Sequence, residues 1–551
     1  MSTALAARLL FAVFAAIVGA VFLVRSLRNE YAKPEPITNT GNDVALTCLR
    51  WTVLCWCAVW ALAWLTIAFI RLKYPFELEW ASGSMLDHCE RVLAGRPLYL
   101  APGPEWFPFE YPPLYFWISA LVMRLMPDTT FTPLRLVSIA STLGCAGIMF
   151  AWVRQACLGA RGRTWGWIAA GIFIASYRFT GAWYDIERLD MLFLVLSLSG
   201  GWMLSRAFAE QTAATDSRAV VRSNVYLLLS AVAFWFAFLT KQQAVLFIVG
   251  SLAALAVGRR WRHLVLFTAI SAALCFGSVA LLNQATSGWF TYYCFRVPMA
   301  NGIKANLAAQ YFITDLPLYA PLIALIAVSA LKGMLRLKGS DRNEESDSAS
   351  SSQLIPAAAW CLMGLGGSLL SRAHWGGDQN VLMAGFIGLT LLACMLAAAM
   401  ETRSSRIGVA LYALALAQLI TLVYRPDAQI PTAASRSAGE KYQAKVRELE
   451  KDGEVLCLDH GHMSSIRHFH LMGMLDVVGF EKELPGSVVS ALRSHRYAAI
   501  LSDAKPEPTG ALAELARTYQ VEGSLHLSSS WIATGFPTPA PGREVWVLRP
   551  R

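Results

Sequence analysis

Apolar runs recur along the whole chain, near residues 4–24, 47–70, 113–126, 133–153, 165–181, 189–207, 224–239, 243–257, 263–283, 313–331, 355–371, 380–400 and 407–423. Most of them approach the roughly 20 residues that a helix needs to cross a bilayer. In hydrocarbon every backbone N–H and C=O must be satisfied within the segment, so runs of this length fold as helices. A polytopic α-helical membrane protein follows. The 551 residues are 56% hydrophobic and only 15% charged, which is wrong for a soluble globule. The first run, Ala4 to Val24, has no small-residue cleavage site before Arg25 and reads as a retained helix rather than a signal peptide.

The net charge of +10 invites a nucleic-acid reading, but the cations cluster between apolar runs. That is the pattern of the positive-inside rule, and no nucleic-acid partner is expected. The clusters are Arg25/Arg28/Lys33/Arg50, Arg154/Arg161/Arg163, Arg206/Arg218/Arg222, Arg259/Arg260/Arg262, Lys332/Arg336/Lys338/Arg342 and Arg403/Arg406. If all the runs span, these clusters fall on opposite faces. The run 113–126 is short, begins at Pro112-Pro113 and contains Arg124. Read as an interfacial helix, it leaves about 12 spanning helices and puts every cluster in the cytoplasm. Eleven cysteines are mostly within apolar runs, and Cys89, Cys294 and Cys457 are too few for a disulfide framework.

The same parity sends Tyr74–Tyr111, Trp183–Asp190, the Lys241 tip, Gln284–Tyr311, Arg372–Asn380 and everything beyond Tyr424 to the outer face. The unusual polar residues therefore converge on one side. The first outer loop (71–112) is long, aromatic and acidic, with Glu77, Glu79, Asp87, Glu90, Glu105 and Glu110 among Trp80, Trp106 and Tyr111. Long connections of this kind are usually functional. A carboxylate at the membrane surface can deprotonate a hydroxyl or help hold a divalent cation, Mg or Mn. The bland alternative is a set of solvated loop charges. Trp80 and Trp106 suit sugar stacking, though such rings are also ordinary interface anchors.

Four further constellations carry candidates. In TGAWYDIERLDMLFL, Asp185, Glu187, Arg188 and Asp190 open an apolar helix, and charges at a membrane edge are functional candidates by default. An Arg188–Asp185 cap is the structural alternative. Lys241, between two apolar runs, can bind a lipid phosphate as a point charge or snorkel. In SRAHWGGDQN, Arg372 and His374 can hold a phosphate, and Asp378 follows the Gly-Gly pair. DHGHMSSIRHFH has two His-x-His pairs but no zinc-signature spacing, and reads as surface-loop histidines.

Three domains are expected: an extra N-terminal helix and linker (1–46), a catalytic membrane domain (47–423) with a flexible cytoplasmic loop (332–354), and a C-terminal α/β domain (424–551). In the last, VLCLD, YAAILSD and EVWVL read as strands and 439–451, 486–495 and 509–518 as helices.

The acidic loop, the Gly-x-Pro-Leu-Tyr turn Gly95–Tyr99 and the Tyr-Pro-Pro-Leu-Tyr run Tyr111–Tyr115 resemble the GT-C glycosyltransferases, nearest the protein O-mannosyltransferases and the aminoarabinose and lipopolysaccharide-core sugar transferases. Arg135 in PLRLVSIAS and Asp190 in RLDMLF fit the same pattern. The resemblance implies transfer of a sugar from a polyprenyl-phosphate donor to a glycan, lipid or protein acceptor outside the cytoplasm, in a bacterial inner membrane. It implies Glu79 as catalytic carboxylate with Glu77 the alternate, and Asp190 as the second acid. Lys241, Arg372, His374 and Tyr111 become donor-phosphate contacts. Trp80, Asp87, Trp106, Glu110, Asp185 and Asp378 become sugar or acceptor contacts. The family has Asp or Asp-Glu where this chain has Glu77-Leu78-Glu79, and aminoarabinose transferases have Lys where it has Tyr111. A transporter or flippase of lipid-linked sugars is the competing class, but mid-membrane discontinuities and repeats of the kind transporters use are not evident.

Overall fold

The computed structural model describes residues 3–32, 40–126, 130–212, 217–300, 302–338, 348–374, 376–401, 405–467, 469–532 and 543–551. Long helices dominate. They are α1 (Thr3–Ala32), α2 (Thr40–Leu72), α5 (Thr132–Ala156), α6 (Ala160–Ala175), α7 (Asp190–Thr212), α8 (Ser217–Thr240), α9 (Ala244–Val257) and α10 (Trp261–Ala285), with the short α3 (Ser82–Leu93) and α4 (Leu114–Leu125) between α2 and α5. After an irregular helical stretch the bundle continues with α11 (Ala320–Lys338), α12 (Ser348–Arg372), α13 (Met383–Met400) and α14 (Ser405–Thr421). Of the loop expected at 332–354, residues 339–347 lie outside the described residues, and both flanks are helical rather than loop.

Among the described residues, nine helical segments are long and apolar enough to cross a membrane. Three other expected spans fold as α6, α9 and α14, of 16, 14 and 17 residues. At 1.5 Å per residue these reach about 21–26 Å, less than a typical hydrocarbon core of about 30 Å.

Helix α4 starts and ends at one end of the bundle. Tyr111, just before it, lies under the Arg188 guanidinium (5.9 Å to the ring centroid). Thr132, just after it, donates its hydroxyl to the Leu72 carbonyl at 3.1 Å. At 12 residues it does not cross, as its length and Pro-Pro start led us to expect. The acidic loop that contains α3 is a folded cap with its own core. His88 sits at its centre against Trp106, Phe109 and Phe116 (ring centroids 4.4, 4.8 and 4.8 Å away). Its Nε2 accepts from the Phe109 amide at 2.9 Å, so Nδ1 carries the proton and donates to the Ser84 carbonyl at 2.6 Å. Burial pushes this imidazole down to about 3 and keeps it neutral.

Beyond Tyr424 lies a four-stranded sheet in the order β1-β2-β4-β3 (β1 Val455–Cys457, β2 Ala499–Ser502, β3 Tyr519–Leu527, β4 Arg543–Pro550). β1 and β2 are parallel and the other pairs antiparallel. Side chains alternate across a strand, and here the two faces serve different cores. Val455, Cys457, Leu501 and Val547 join the core that runs through the bundle. Leu456, Leu458, Ile500 and Leu548 join one built from α3, α4 and the acidic loop. The sheet is therefore packed onto the acidic cap.

Candidate active site

Arg135, near the start of α5, anchors the site. The last carbonyls of a helix have no partners within it, and Arg135 reaches four that end or follow α2. It donates to the carbonyls of Arg71 (2.7 Å), Leu72 (3.4 Å), Tyr74 (2.5 Å) and Phe76 (2.7 Å), and it pairs with Glu187. Arg71 pairs with Asp185 at 3.2 Å, and the Tyr177 hydroxyl donates to the same carboxylate at 2.9 Å. All four charged side chains are essentially unexposed. The two pairs clamp the segment carrying Glu77 and Glu79 to the one carrying Arg188 and Asp190.

In front of the clamp, groups from separate segments meet. Glu79 accepts from the Ala81 amide at 3.1 Å and lies 3.7 Å from Arg188. Arg188 lies over the rings of Trp183 (4.8 Å) and Tyr111 (5.9 Å). Its Nε and Nη1 are buried donors without a hydrogen-bond partner. Asp190 opens α7, where a negative charge suits the helix dipole. It receives Lys241 Nζ at 2.7 Å and Asn380 Nδ2 at 3.4 Å. Burial raises the Glu79 carboxyl above the ordinary range, Arg188 opposes the rise, and Glu187 and Asp378 add to it. Glu79 and Tyr111 thus meet at Arg188, and Asp190 meets Lys241. Arg188 pairs with Glu79, not with Asp185, and Asn380 is an addition. Both lie within segments that the sequence marks as unusual, but spacing along a helix end does not reveal a partner on another segment.

Glu77 turns the other way and is fully buried. Its carboxylate accepts from His460 Nδ1 at 3.0 Å and lies 2.8 Å from His462 Nδ1. His460 Nε2 is 3.1 Å from Asp503, which Arg543 also pairs with. Burial pushes Glu77 up to about 7 against the pull of His460. His460 shifts down by burial, with Glu77 opposing. The reading of these histidines as surface-loop residues is therefore corrected: His460 and His470 are 0% and 2% exposed, because the sheet presses this loop onto the acidic cap. His468 lies outside the described residues.

The other candidates shape the cap. Asp87 pairs with Arg467 at 3.2 Å. Trp80 meets His470 edge-on (5.1 Å), and Trp106 donates Nε1 to the Leu98 carbonyl at 2.8 Å. Glu110 is electrostatically linked to Asp476, and its Oε1 is buried without a hydrogen-bond partner. Arg372 is apart from Lys241: it pairs with Asp315 at 2.9 Å and donates to the Gly377 carbonyl at 2.6 Å. His374 Nδ1 is buried without a hydrogen-bond partner. Among the described residues no three or more His, Cys, Asp or Glu side chains are arranged as a metal-ligand set.

No protein-family model and no curated protein matches the chain. Solved structures do. ArnT from Cupriavidus metallidurans bound to undecaprenyl phosphate superposes with a TM-score of 0.54 at 13% identity, covering 90% of this chain and 98% of that one. The Archaeoglobus fulgidus oligosaccharyltransferase in its apo form gives 0.46 at 9% identity, covering 81% and 69%. At this identity the likeness to ArnT is one of fold alone.

Proposed function

We propose that this chain is a glycosyltransferase that takes a sugar from a polyprenyl-phosphate donor and passes it to an extracytoplasmic acceptor with inversion at the anomeric carbon. The observation that carries the reading is the meeting of Glu79 with Arg188, Asp190 and Lys241 at one end of an apolar bundle. That bundle shares its fold with ArnT, which was solved with undecaprenyl phosphate.

The chemistry follows from the groups. The acceptor oxygen forms a bond to the anomeric carbon as the bond from that carbon to the lipid phosphate breaks. Glu79 takes the acceptor proton; its burial raises its proton affinity toward the working pH, which suits a general base. The departing phosphate gains a full negative charge, and preorganised cations in a dry site stabilise it. Lys241 supplies one, aimed by Asp190, and the unpartnered donors of Arg188 supply the other. Of the two glutamates, Glu79 suits the role of base better, because the histidines occupy the Glu77 carboxylate. Tyr111, Trp80 and Asp378 stand where they can bound the sugar. Arg71, Arg135, Asp185 and Glu187 position the site without touching substrate.

Sidedness has support from charge. Arg161 bonds the Glu401 carbonyl, and Trp165 Nε1 donates to the Glu401 carboxylate at 2.8 Å, so the Arg154/Arg161 cluster lies at the bundle end away from Glu79. By the positive-inside rule that end is cytoplasmic and the site faces outward in the bacterial inner membrane. Purified protein incubated with radiolabelled polyprenyl-phosphate sugars should release labelled product into an envelope-lipid or glycan acceptor fraction. No transfer from any such donor would sink the reading.

A further inference from the structure

A pocket of about 530 Å³ opens beside the carboxylate cluster, at the same end of the bundle. Its walls come from the start of α1, the turn after α6, the stretch before α11, the end of α12 and the segment after α14. Four guanidiniums face it, from Arg8, Arg178, Arg372 and Arg425, against one lining carboxylate, Asp315. Two of the four are already matched: Arg372 by Asp315 at 2.9 Å, and Arg425 by Asp427, just outside the lining. Among the described residues neither Arg8 nor Arg178 pairs with a carboxylate. Arg8 lies over the Phe179 ring at 5.3 Å, and Arg178 donates to the Gln379 side chain at 3.3 Å.

The two unmatched cations line one pocket, and like charges repel. At the edge of an apolar bundle such repulsion is weakly screened, and an arrangement that holds both toward one pocket is stable when an anion lies between them. Guanidiniums present forked donors that match phosphate oxygens. The volume falls in the range of ordinary ligand sites. The outer surface of α1 exposes Leu10, Phe14 and Ile17, so the pocket borders the lipid. It also adjoins the proposed transfer site: Gln379 bonds Arg178, and the next residue, Asn380, bonds Asp190.

We infer that this pocket binds a phosphate-bearing headgroup between Arg8 and Arg178, as a second anion site separate from Lys241. The inference stands on the pocket and needs no transferase activity, so its test is a binding test. Full-length protein in detergent would be titrated with short-chain phosphatidic acid, with inorganic pyrophosphate, and with phosphatidylcholine of the same chain length as control. Phosphatidic acid should bind well above the control. The Arg8→Gln/Arg178→Gln pair should lose about tenfold or more of that affinity, and the Arg8→Lys/Arg178→Lys pair, which keeps the charge, should recover most of it. If pyrophosphate binds and loses affinity in parallel, the phosphate alone suffices; if only phosphatidic acid does so, the ligand is a lipid headgroup. Should the glutamine pair fail to fold, single Arg8→Gln carries the test, since Arg8 is only half-buried. Equal binding of phosphatidic acid by wild type and a folded glutamine variant, or no binding of either phosphate probe to wild type, overturns the proposal.

Discussion

The Glu77 carboxylate accepts a hydrogen bond from His460 at 3.0 Å across 383 residues of chain, with both side chains fully buried. This contact locks the acidic cap to the C-terminal sheet. Burial brings Glu77 up to about 7, so its carboxyl is already partly protonated near neutral pH, and burial shifts His460 down. A neutral isostere should therefore serve. Glu77→Gln is expected to fold, with a cost of about 1 kcal/mol. Glu77→Ala, which removes the partner shared by the Nδ1 atoms of His460 and His462, should cost about 3 kcal/mol or more. Thermal unfolding in detergent separates them; equal loss in both variants would contradict the account.

Arg135 bonds four carbonyls and Glu187 with one planar group, which an ammonium cannot reproduce. Arg135→Lys should lower thermal stability by about 2 kcal/mol or more. It should also depress transfer, because the Glu79 segment loses its anchor. A variant with wild-type unfolding and activity would remove the clamp from the account.

Glu110 and Asp476 are two half-buried carboxyls that interact through their charges. Burial raises both above the ordinary range, with the charge of Asp476 adding to the rise in Glu110. An acid whose folded-state pKa is raised binds more protons folded than unfolded, so its contribution is fully present below about pH 4 and falls as pH rises. The loss extends through about 7 for Asp476 and about 9 for Glu110. Glu110→Gln should flatten the alkaline fall in Tm and exceed wild type at the high end. A steeper alkaline fall in the variant would reverse the assignment.

Lys241 touches Asp190 and faces the proposed leaving group. Lys241→Gln keeps a donor toward Asp190 and removes the charge, so kcat/KM for the lipid donor should fall about 10²–10³-fold with little change in unfolding. A fall confined to the acceptor KM would place the cation elsewhere.

The apolar runs made the helices legible, and cation placement singled out the bundle end where Glu79, Asp190 and Lys241 meet. Periodicity and parity say where along the membrane normal a residue sits, but nothing of which helix faces which. The Arg71–Asp185, Arg135–Glu187 and Arg188–Glu79 pairings were for that reason illegible: Asp185, Glu187, Arg188 and Glu79 stood out as charges beside apolar runs, Arg135 entered only through the family resemblance, and Arg71 was passed over. His460 and His462 were misread because their burial depends on a sheet closing over a loop far away in sequence. Strand β3 was missed because YQVEGSLHL is mostly exposed and polar, and helix Leu471–Glu481 because two glycines interrupt its pattern. Nine of the twelve expected spans have helices of full spanning length among the described residues, and α6, α9 and α14 are shorter than that length.

The most direct test compares two conservative substitutions separated by Leu78. Glu79→Gln removes the proposed base and keeps its shape; Glu77→Gln neutralises the acid held by His460 and His462. Both proteins, verified as folded by unfolding temperature, would be assayed for transfer of radiolabelled sugar from a polyprenyl phosphate. Glu79→Gln should lose about 10²–10⁴-fold of the activity, and Glu77→Gln should stay close to wild type. Full activity in Glu79→Gln would contradict its assignment as the base.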